Sequence, residues 1–248
     1  MVEEIKSISN LITFLKKQRK KFDEDIWFRG QSDIDWTLSP GILRLTKNTS
    51  ESSLLTRFKQ SAAMLINKST KDDFDWLFLM QHYGVPTRLL DWSESPLAAL
   101  YFAVQDELND SKDGALWLLK PTELNKIANI STSEKNFIPS FDDEELENYS
   151  VKTLSQNPRN KLAPIATIAT RNSTRIQAQL GVFTIHHLDD KPIEDFCTNS
   201  EVIKLKIPAT SKSKLREELS LLEVNKFTLY TELSSIGEII KNKIQRVI

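Results

Sequence analysis

The chain has 248 residues, 40% of them hydrophobic, which is enough to bury a core within one compact unit. A formal net charge of -1 excludes bulk electrostatic attraction to nucleic acid or to an anionic membrane, and a single cysteine excludes an intrachain disulfide framework. No apolar run is long enough to span a bilayer, and the N-terminus MVEEIKSISN is acidic, so we expect a cytoplasmic protein without a membrane segment.

The first predicted elements are a helix and a short strand. Apolar residues recur at helical spacing from Ile8 to Leu15, and the lysines and arginines that follow suit a helix C-terminus. The segment DIWFRG then predicts a strand that Gly30 ends. Because side chains alternate along a strand, Arg29 projects on the face opposite Phe28.

Two more helices, a second strand and a buried helix follow. SESSLLTRFKQSAAMLI predicts a helix from Ser50, and KDDFDWLFLMQHYG predicts another that stops at Gly84. The segment TRLLDW predicts a strand. Ser95 is a natural N-cap and Pro96 a natural first helical residue, and the apolar sequence after them predicts a helix at the centre of the core.

The rest of the chain supplies further strands and two closing helices. GALWLL and SEVIKLKIP predict strands, and in TRIQAQLGVFTIHHL another strand follows Arg175, Gln177 and Gln179. Residues 125–163 carry no clear period and predict a surface insertion or a mobile segment. Strands spread among helices of unequal length predict an α+β fold: one mixed β-sheet with flanking helices, including the N-terminal one. We expect a single domain over residues 1–248, with its core at about 24–235.

The first candidate for binding is Arg29. Its guanidinium offers several donors in a fixed fork that suits phosphate or ribose oxygens, and Gly30 beside it would let a ligand approach the backbone. The alternative is that Arg29 pairs with a carboxylate at the edge of the core.

A second candidate group surrounds the predicted end of one helix and the start of a strand. The helix beginning at Ser95 adds free N–H groups that attract anions. The arrangement predicts a site for a phosphorylated or nucleotide ligand, although two of the residues could simply form a scaffold ion pair, Arg88 with Asp91. The group contains Gln81, His82, Thr87, Arg88 and Asp91.

Several common sites are missing from the sequence. HExxH, paired cysteines and a carboxylate cluster with ligand spacing are absent, so we predict no metal site. GxGxxG, GxxxxGK[ST] and GxSxG are also absent, which disfavours Rossmann dehydrogenases, P-loop enzymes and α/β-hydrolases. We predict packing or surface roles for His186 and His187.

Four stretches, in this order, resemble the FRG domain family, which is named for its Phe-Arg-Gly motif. The resemblance runs from about residue 24 to near 235, and its first two stretches are long and specific. The family is known mainly from bacteria and their phages, and some members lie near defence genes, so the resemblance implies a role in bacterial or phage conflict. The stretches are FRGQSDIDWTLSPGILR, QHYGVPTRLLDWSESPLAALYFA, GALWLL and RIQAQLGVFTIHHL.

The layout of these stretches also resembles that of ADP-ribosyltransferases, which implies NAD as a substrate and no permanently bound cofactor. Transferases have an early strand with a residue that holds NAD, then a polar strand that leads into a helix, then a late strand with an acidic catalytic residue. In this chain Arg29 matches the first, TRLLDWSESPLAALYFA the second and Gln179 the third. Transferases have a glutamate at this third, catalytic position. Glutamine can bond a ribose hydroxyl but supplies no negative charge.

Two hypotheses follow from the resemblance. The first is an ADP-ribosyltransferase-like effector that cleaves NAD or transfers ADP-ribose from it, with a macromolecule as the target of the transfer. In this hypothesis Arg29 and Arg88 bind pyrophosphate or ribose, and His82 or Asp91 acts as an acid, a base or an electrostatic stabiliser. Gln179 orients the substrate. Arg175 is a further predicted ligand-binding residue. The second is a non-catalytic module that binds a nucleotide or a protein in the same cleft.

Overall fold

The computed structural model describes residues 3–19, 25–45, 49–66, 72–130, 136–169, 174–198, 201–231 and 237. In this part of the chain one sheet contains six strands. They are β1 (Trp27–Gln31), β2 (Leu89–Ser93), β3 (Gly114–Leu119), β4 (Ile165–Thr167), β5 (Gly181–Ile185) and β6 (Val202–Ile207).

The strand order across the sheet is β4-β5-β2-β1-β3-β6, and neighbouring strands are antiparallel. Parallel pairing occurs in the described residues only as isolated bridges, Glu4 with Lys206 and Ser140 with Ile168. The prediction of an α+β fold with one sheet and flanking helices is confirmed, with antiparallel ladders where the sequence predicts a mixed sheet. β1 and β2 therefore lie at the centre.

Helices flank the sheet. Ser95 caps α4 as its sequence predicts, since its hydroxyl accepts from the backbone N–H of Ala98 at 3.2 Å and Pro96 follows. Gly84 follows α3 with a φ of 76°, the left-handed conformation that suits a glycine after a helix. The helices are α1 (Ile8–Arg19), α2 (Glu51–Ala62), α3 (Asp73–His82), α4 (Pro96–Val104), α5 (Pro121–Ile127), α6 (Val151–Gln156), α7 (Thr174–Ala178), α8 (Lys212–Leu221) and α9 (Lys226–Tyr230).

One face of the sheet carries two separate apolar clusters. Over β1, β3 and β6, helices α1, α4 and α8 bury Phe28, Leu100 and Leu215 with their neighbours. Over β2, β4 and β5, helices α2 and α3 bury Leu77 and Phe183. Residues directly opposite in antiparallel strands point to the same side, so both clusters share this face and lie on either side of the centre of the sheet.

The second cluster also contains part of the segment predicted to be a surface insertion. Phe141, Leu146 and Tyr149 are buried there, and the Phe141 ring lies 4.9 Å from that of Phe74. The surface-insertion interpretation is therefore wrong for the described residues around 141–154. They contribute to the core, although their apolar positions follow neither a helical nor a strand period.

The opposite face is covered by tryptophans, α5 and irregular chain. Trp27, Trp92 and Trp117 lie beneath Leu38 and Ile193, and this third cluster spans both halves of the sheet. The described residues contain no helix with the length and apolarity needed to cross a bilayer.

Candidate functional site

The sheet opens at its centre, between β1 and β2. These strands pair at one position, Phe28 with Ser93, whereas β1 pairs with β3, and β2 with β5, along their full length. At the two ends of β2, the carbonyl of Arg88 and the N–H of Glu94 bond to the β5 side. Because antiparallel backbone groups alternate in direction, those of Leu89 and Asp91 point toward β1 instead.

Side chains, not β1, satisfy these backbone groups. Thr87 Oγ1 accepts from the N–H of Leu89 at 3.1 Å, and Gln81 Nε2 lies 3.5 Å from the carbonyl oxygen of Leu89. Arg29 NH1 donates to the carbonyl oxygen of Asp91 at 2.5 Å. We call this opening, lined by Arg29, Gln81, Thr87 and Asp91, the central gap.

Asp91 is exposed although it lies on a central strand. Its neighbours in β2 are all buried, so the burial of this strand is broken at one position. Asp91 lies between α3, whose Gln81 Nε2 donates to its Oδ2 at 2.8 Å, and α4, which packs on β1 at Gly30. The two apolar clusters on this face thus leave a polar opening between them.

Arg29 carries a partly desolvated charge where β1 separates from β2. Its Nε is buried and has no hydrogen-bond partner. Removal of water lowers the guanidinium pKa from 12.5 to about 10; the Asp91 carboxylate opposes this shift and the positive charge of Arg44 adds to it. Arg29 therefore stays protonated at neutral pH, in a setting that disfavours its charge.

Arg44 is a site residue that the sequence reasoning missed. It is exposed at the end of a 3₁₀ turn, Gly41–Arg44, and the N–H of Ile42 in that turn donates to the carbonyl oxygen of Thr87 at 3.1 Å. This bond holds the turn beside the central gap, within electrostatic range of Arg29. The available signal was its place at the end of the family stretch FRGQSDIDWTLSPGILR.

Gly30 is a packing residue and does not admit a ligand as predicted. A Cβ at this position would lie 1.8 Å from the carbonyl oxygen of Ala99 and 2.6 Å from the nitrogen of Ala103. The missing side chain therefore lets the backbone of α4 rest directly on β1.

Arg88 is a buried arginine that pairs with Glu51 and not, as the alternative interpretation has it, with Asp91. Its Nε lies 2.6 Å from Oε2 of Glu51, and its terminal nitrogens donate to the carbonyl oxygens of His186 and Tyr149, each at 2.8 Å. Glu51 Oε1 also accepts from the backbone N–H of Arg88 at 2.7 Å. With these acceptors in place, the Arg88 side chain is already engaged within the fold.

The observed contacts of the remaining predicted residues are with groups other than those that line the central gap. Gln179 Nε2 donates to the carbonyl oxygen of Leu229 at 3.1 Å, so α9 holds the amide. The Arg175 guanidinium lies 4.8 Å from the centre of the Tyr230 ring. The His82 ring packs edge-to-face on Tyr83 at 4.9 Å, and the Ser95 hydroxyl caps α4.

The charged groups of the site are two arginines and one carboxylate, which form no cation-binding cluster. Across the ranges that the structure describes, no set of three or more histidines, cysteines and carboxylates is close enough to hold a metal ion. The site can instead offer donors from Arg29 and Arg44 and an acceptor from Asp91.

Comparison with known proteins identifies one family. The model of the FRG domain matches residues 24–112, a range that includes the whole central gap and Arg44. Searches of curated proteins and of solved structures give no match. Residues 24–112 are therefore similar to the FRG domain, and the Phe-Arg-Gly sequence within them supplies the arginine at the centre of the split sheet.

Proposed function

We propose that the FRG domain binds a nucleotide, NAD or a related one, and that its phosphate lies against Arg29 and Arg44. The observation that carries this proposal is the state of Arg29. Its charge is partly desolvated, its Nε has no partner, and it forms no ion pair within the described residues. A partly desolvated charge without an ion pair costs stability and is a common mark of a functional site.

The charges around the central gap support an anionic ligand. Arg44 lowers the pKa of Arg29, so the two positive charges repel each other, and a phosphate between them would relieve this repulsion. A guanidinium fork fits phosphate oxygens with paired hydrogen bonds. The chain's net charge of -1 makes this local pair, not a basic surface, the attraction for the ligand.

Calorimetric titration of the purified protein with NAD tests the proposal. We expect saturable binding that Arg29→Ala weakens by at least about tenfold, because charge-assisted bonds to phosphate are lost. Arg57→Ala is the matched control, since it removes an exposed arginine of α2. Equal affinity of the wild-type protein and Arg29→Ala would overturn the proposal.

A second candidate function, cleavage of NAD, is favoured by the exposed carboxylate of Asp91 beside Arg29. In such a reaction the bond between ribose and nicotinamide breaks and nicotinamide leaves with the bonding electron pair, while water or a macromolecular acceptor adds to the ribose and releases one proton to solvent. A nearby carboxylate would stabilise the positive charge that develops on the sugar. Gln179, tied to Leu229, would take no part.

Mass spectrometry of NAD after incubation with the protein, alone and with bacterial lysate, tests this candidate. We expect free nicotinamide or an ADP-ribosylated macromolecule, and a rate about a hundredfold lower for Asp91→Asn. Glu94→Gln, which removes a neighbouring exposed carboxylate, serves as the control. If NAD binds but stays intact in both mixtures, the domain is a binding module. The proposal includes a role in conflict between bacteria and phages, and only the family resemblance supports this part of it.

A further inference from the structure

The polar residues of the central gap form a directed chain of hydrogen bonds that ends at Asp91. Thr87 Oγ1 accepts from the backbone N–H of Leu89 at 3.1 Å. A hydroxyl that accepts in this way keeps its own proton for donation, and Gln81 Oε1 lies 2.7 Å away as the acceptor.

This chain fixes the orientation of the Gln81 amide. Because Oε1 is turned to the Thr87 hydroxyl, Nε2 is turned to Asp91 and donates to its Oδ2 at 2.8 Å. Thr87 is fully buried, so water does not compete for its hydroxyl. The backbone of β2 thus sets the position of the Asp91 carboxylate through two side chains.

The second oxygen of Asp91 remains open to a ligand. Oδ1 has no donor among the described residues, and the side chain is exposed in the opening between α3 and α4. Arg29 NH1 donates to the backbone carbonyl oxygen of the same residue, and the Asp91 carboxylate acts on the guanidinium electrostatically, so the acceptor and the cation lie within electrostatic range of each other. A carboxylate repels phosphate but accepts hydrogen bonds from hydroxyl groups.

We propose that Asp91 accepts a hydrogen bond from a ribose hydroxyl of the nucleotide whose phosphate meets Arg29, and that Gln81 and Thr87 are the residues that position it. The inference rests on the proposed nucleotide binding and extends it to the ligand's chemical class. A phosphate alone satisfies Arg29 but leaves Asp91 without a donor. A phosphate joined to a sugar with free hydroxyls satisfies both.

The test compares the affinity of NAD with that of two NAD analogues, each lacking the 2′ and 3′ hydroxyls of one ribose. The wild-type protein should prefer NAD over one of the analogues by about tenfold, the effect expected for a lost hydrogen bond to a charged group. Gln81→Met, Thr87→Val and Asp91→Ala should bring this ratio to about one. Thr87→Ser, which keeps the hydroxyl, should restore it.

The ratio separates positioning from a general structural role. A merely structural effect of Gln81 or Thr87 weakens NAD and the analogue by the same factor and leaves the ratio unchanged, which would overturn the inference. Asp91 is exposed, so Asp91→Ala keeps the test valid if a variant of buried Thr87 fails to fold.

The same titrations distinguish failure of the inference from failure of the proposed function. Equal affinity of the wild-type protein for NAD and both analogues overturns the ribose contact while nucleotide binding stands. No binding of NAD, the analogues or inorganic pyrophosphate by the wild-type protein overturns both.

Discussion

Two arginines of the family-matched region differ in the groups that surround them. Arg88 is held by the carboxylate of Glu51 and by two backbone carbonyls. Arg29 has one carbonyl contact and a buried Nε without a partner. The contacts of Arg88 are consistent with a role in stabilising the fold, and those of Arg29 are consistent with the proposed binding of a ligand.

The buried ion pair should be far more important for stability than an exposed one. Glu51→Ala leaves the charge of Arg88 buried without its carboxylate, and we expect a loss of about 3–5 kcal/mol in the free energy of unfolding. Asp73→Ala removes the partly exposed partner of Lys59, also from the first turn of a helix, and should cost less than about 1 kcal/mol. Urea unfolding of both variants measures the difference; equal losses would contradict it.

At the scale of elements, the contact between α4 and β1 positions the arginine of the motif. Ala99 and Ala103 face Gly30, so the helix backbone approaches the strand without an intervening side chain. The preceding residue, Arg29, is then placed where β1 separates from β2. The glycine of the Phe-Arg-Gly motif therefore acts on the site through packing.

This contact predicts a large effect for a single methyl group. Gly30→Ala places a Cβ inside backbone atoms that cannot rotate away, so we expect a loss of at least about 3 kcal/mol in stability. Gly84→Ala has open space around it and should cost only about 1–2 kcal/mol for its positive φ. Thermal unfolding compares the two, and a similar small loss in both would show that α4 tolerates displacement.

Local signals account for what the sequence could predict. The cap at Ser95, the proline after it and the alternation along the strands act over a few residues, and the structure has these elements. The partner of Arg88 lies 37 residues away and the opening of the sheet depends on strand order, so neither has a local signal. The nearness of Arg44 to Arg29 also depends on tertiary folding.

For the whole molecule, a buried polar layer joins parts of the chain that are distant in sequence. Arg88 connects Glu51 of α2, the carbonyl of Tyr149 and the carbonyl of His186 beyond β5. The Tyr149 ring packs edge-to-face on His187 at 5.3 Å. Both histidines are buried, and neither ring nitrogen of His186 has a hydrogen-bond partner. A charge on either ring would therefore be poorly solvated.

This burial predicts that mild acid destabilises the fold. Burial lowers the pKa of His186 from 6.5 to about 4; the nearby backbone of Lys191 and the charge of Asp189 oppose this shift, and the charge of Arg88 adds to it. Between these two values the unfolded chain binds more protons than the folded one. The contribution of His186 to stability is therefore fully present above about pH 6.5 and is lost as the pH falls toward 4. Burial also lowers the pKa of His187, which acts in the same direction.

The contribution of His186 is best measured as a difference between proteins. At about 1.4 kcal/mol per pH unit, its share of the loss across this window is on the order of 3 kcal/mol. Burial raises the pKa of Glu194, which acts in the opposite direction at the lower end of the window, so the wild-type curve alone mixes the two. His186→Gln removes the titrating group and leaves Glu194 in place. Unfolding free energies at pH 4.5 and 7 should therefore differ less in His186→Gln than in the wild-type protein; an unchanged difference would mean that the pKa of His186 is the same in the folded and the unfolded chain.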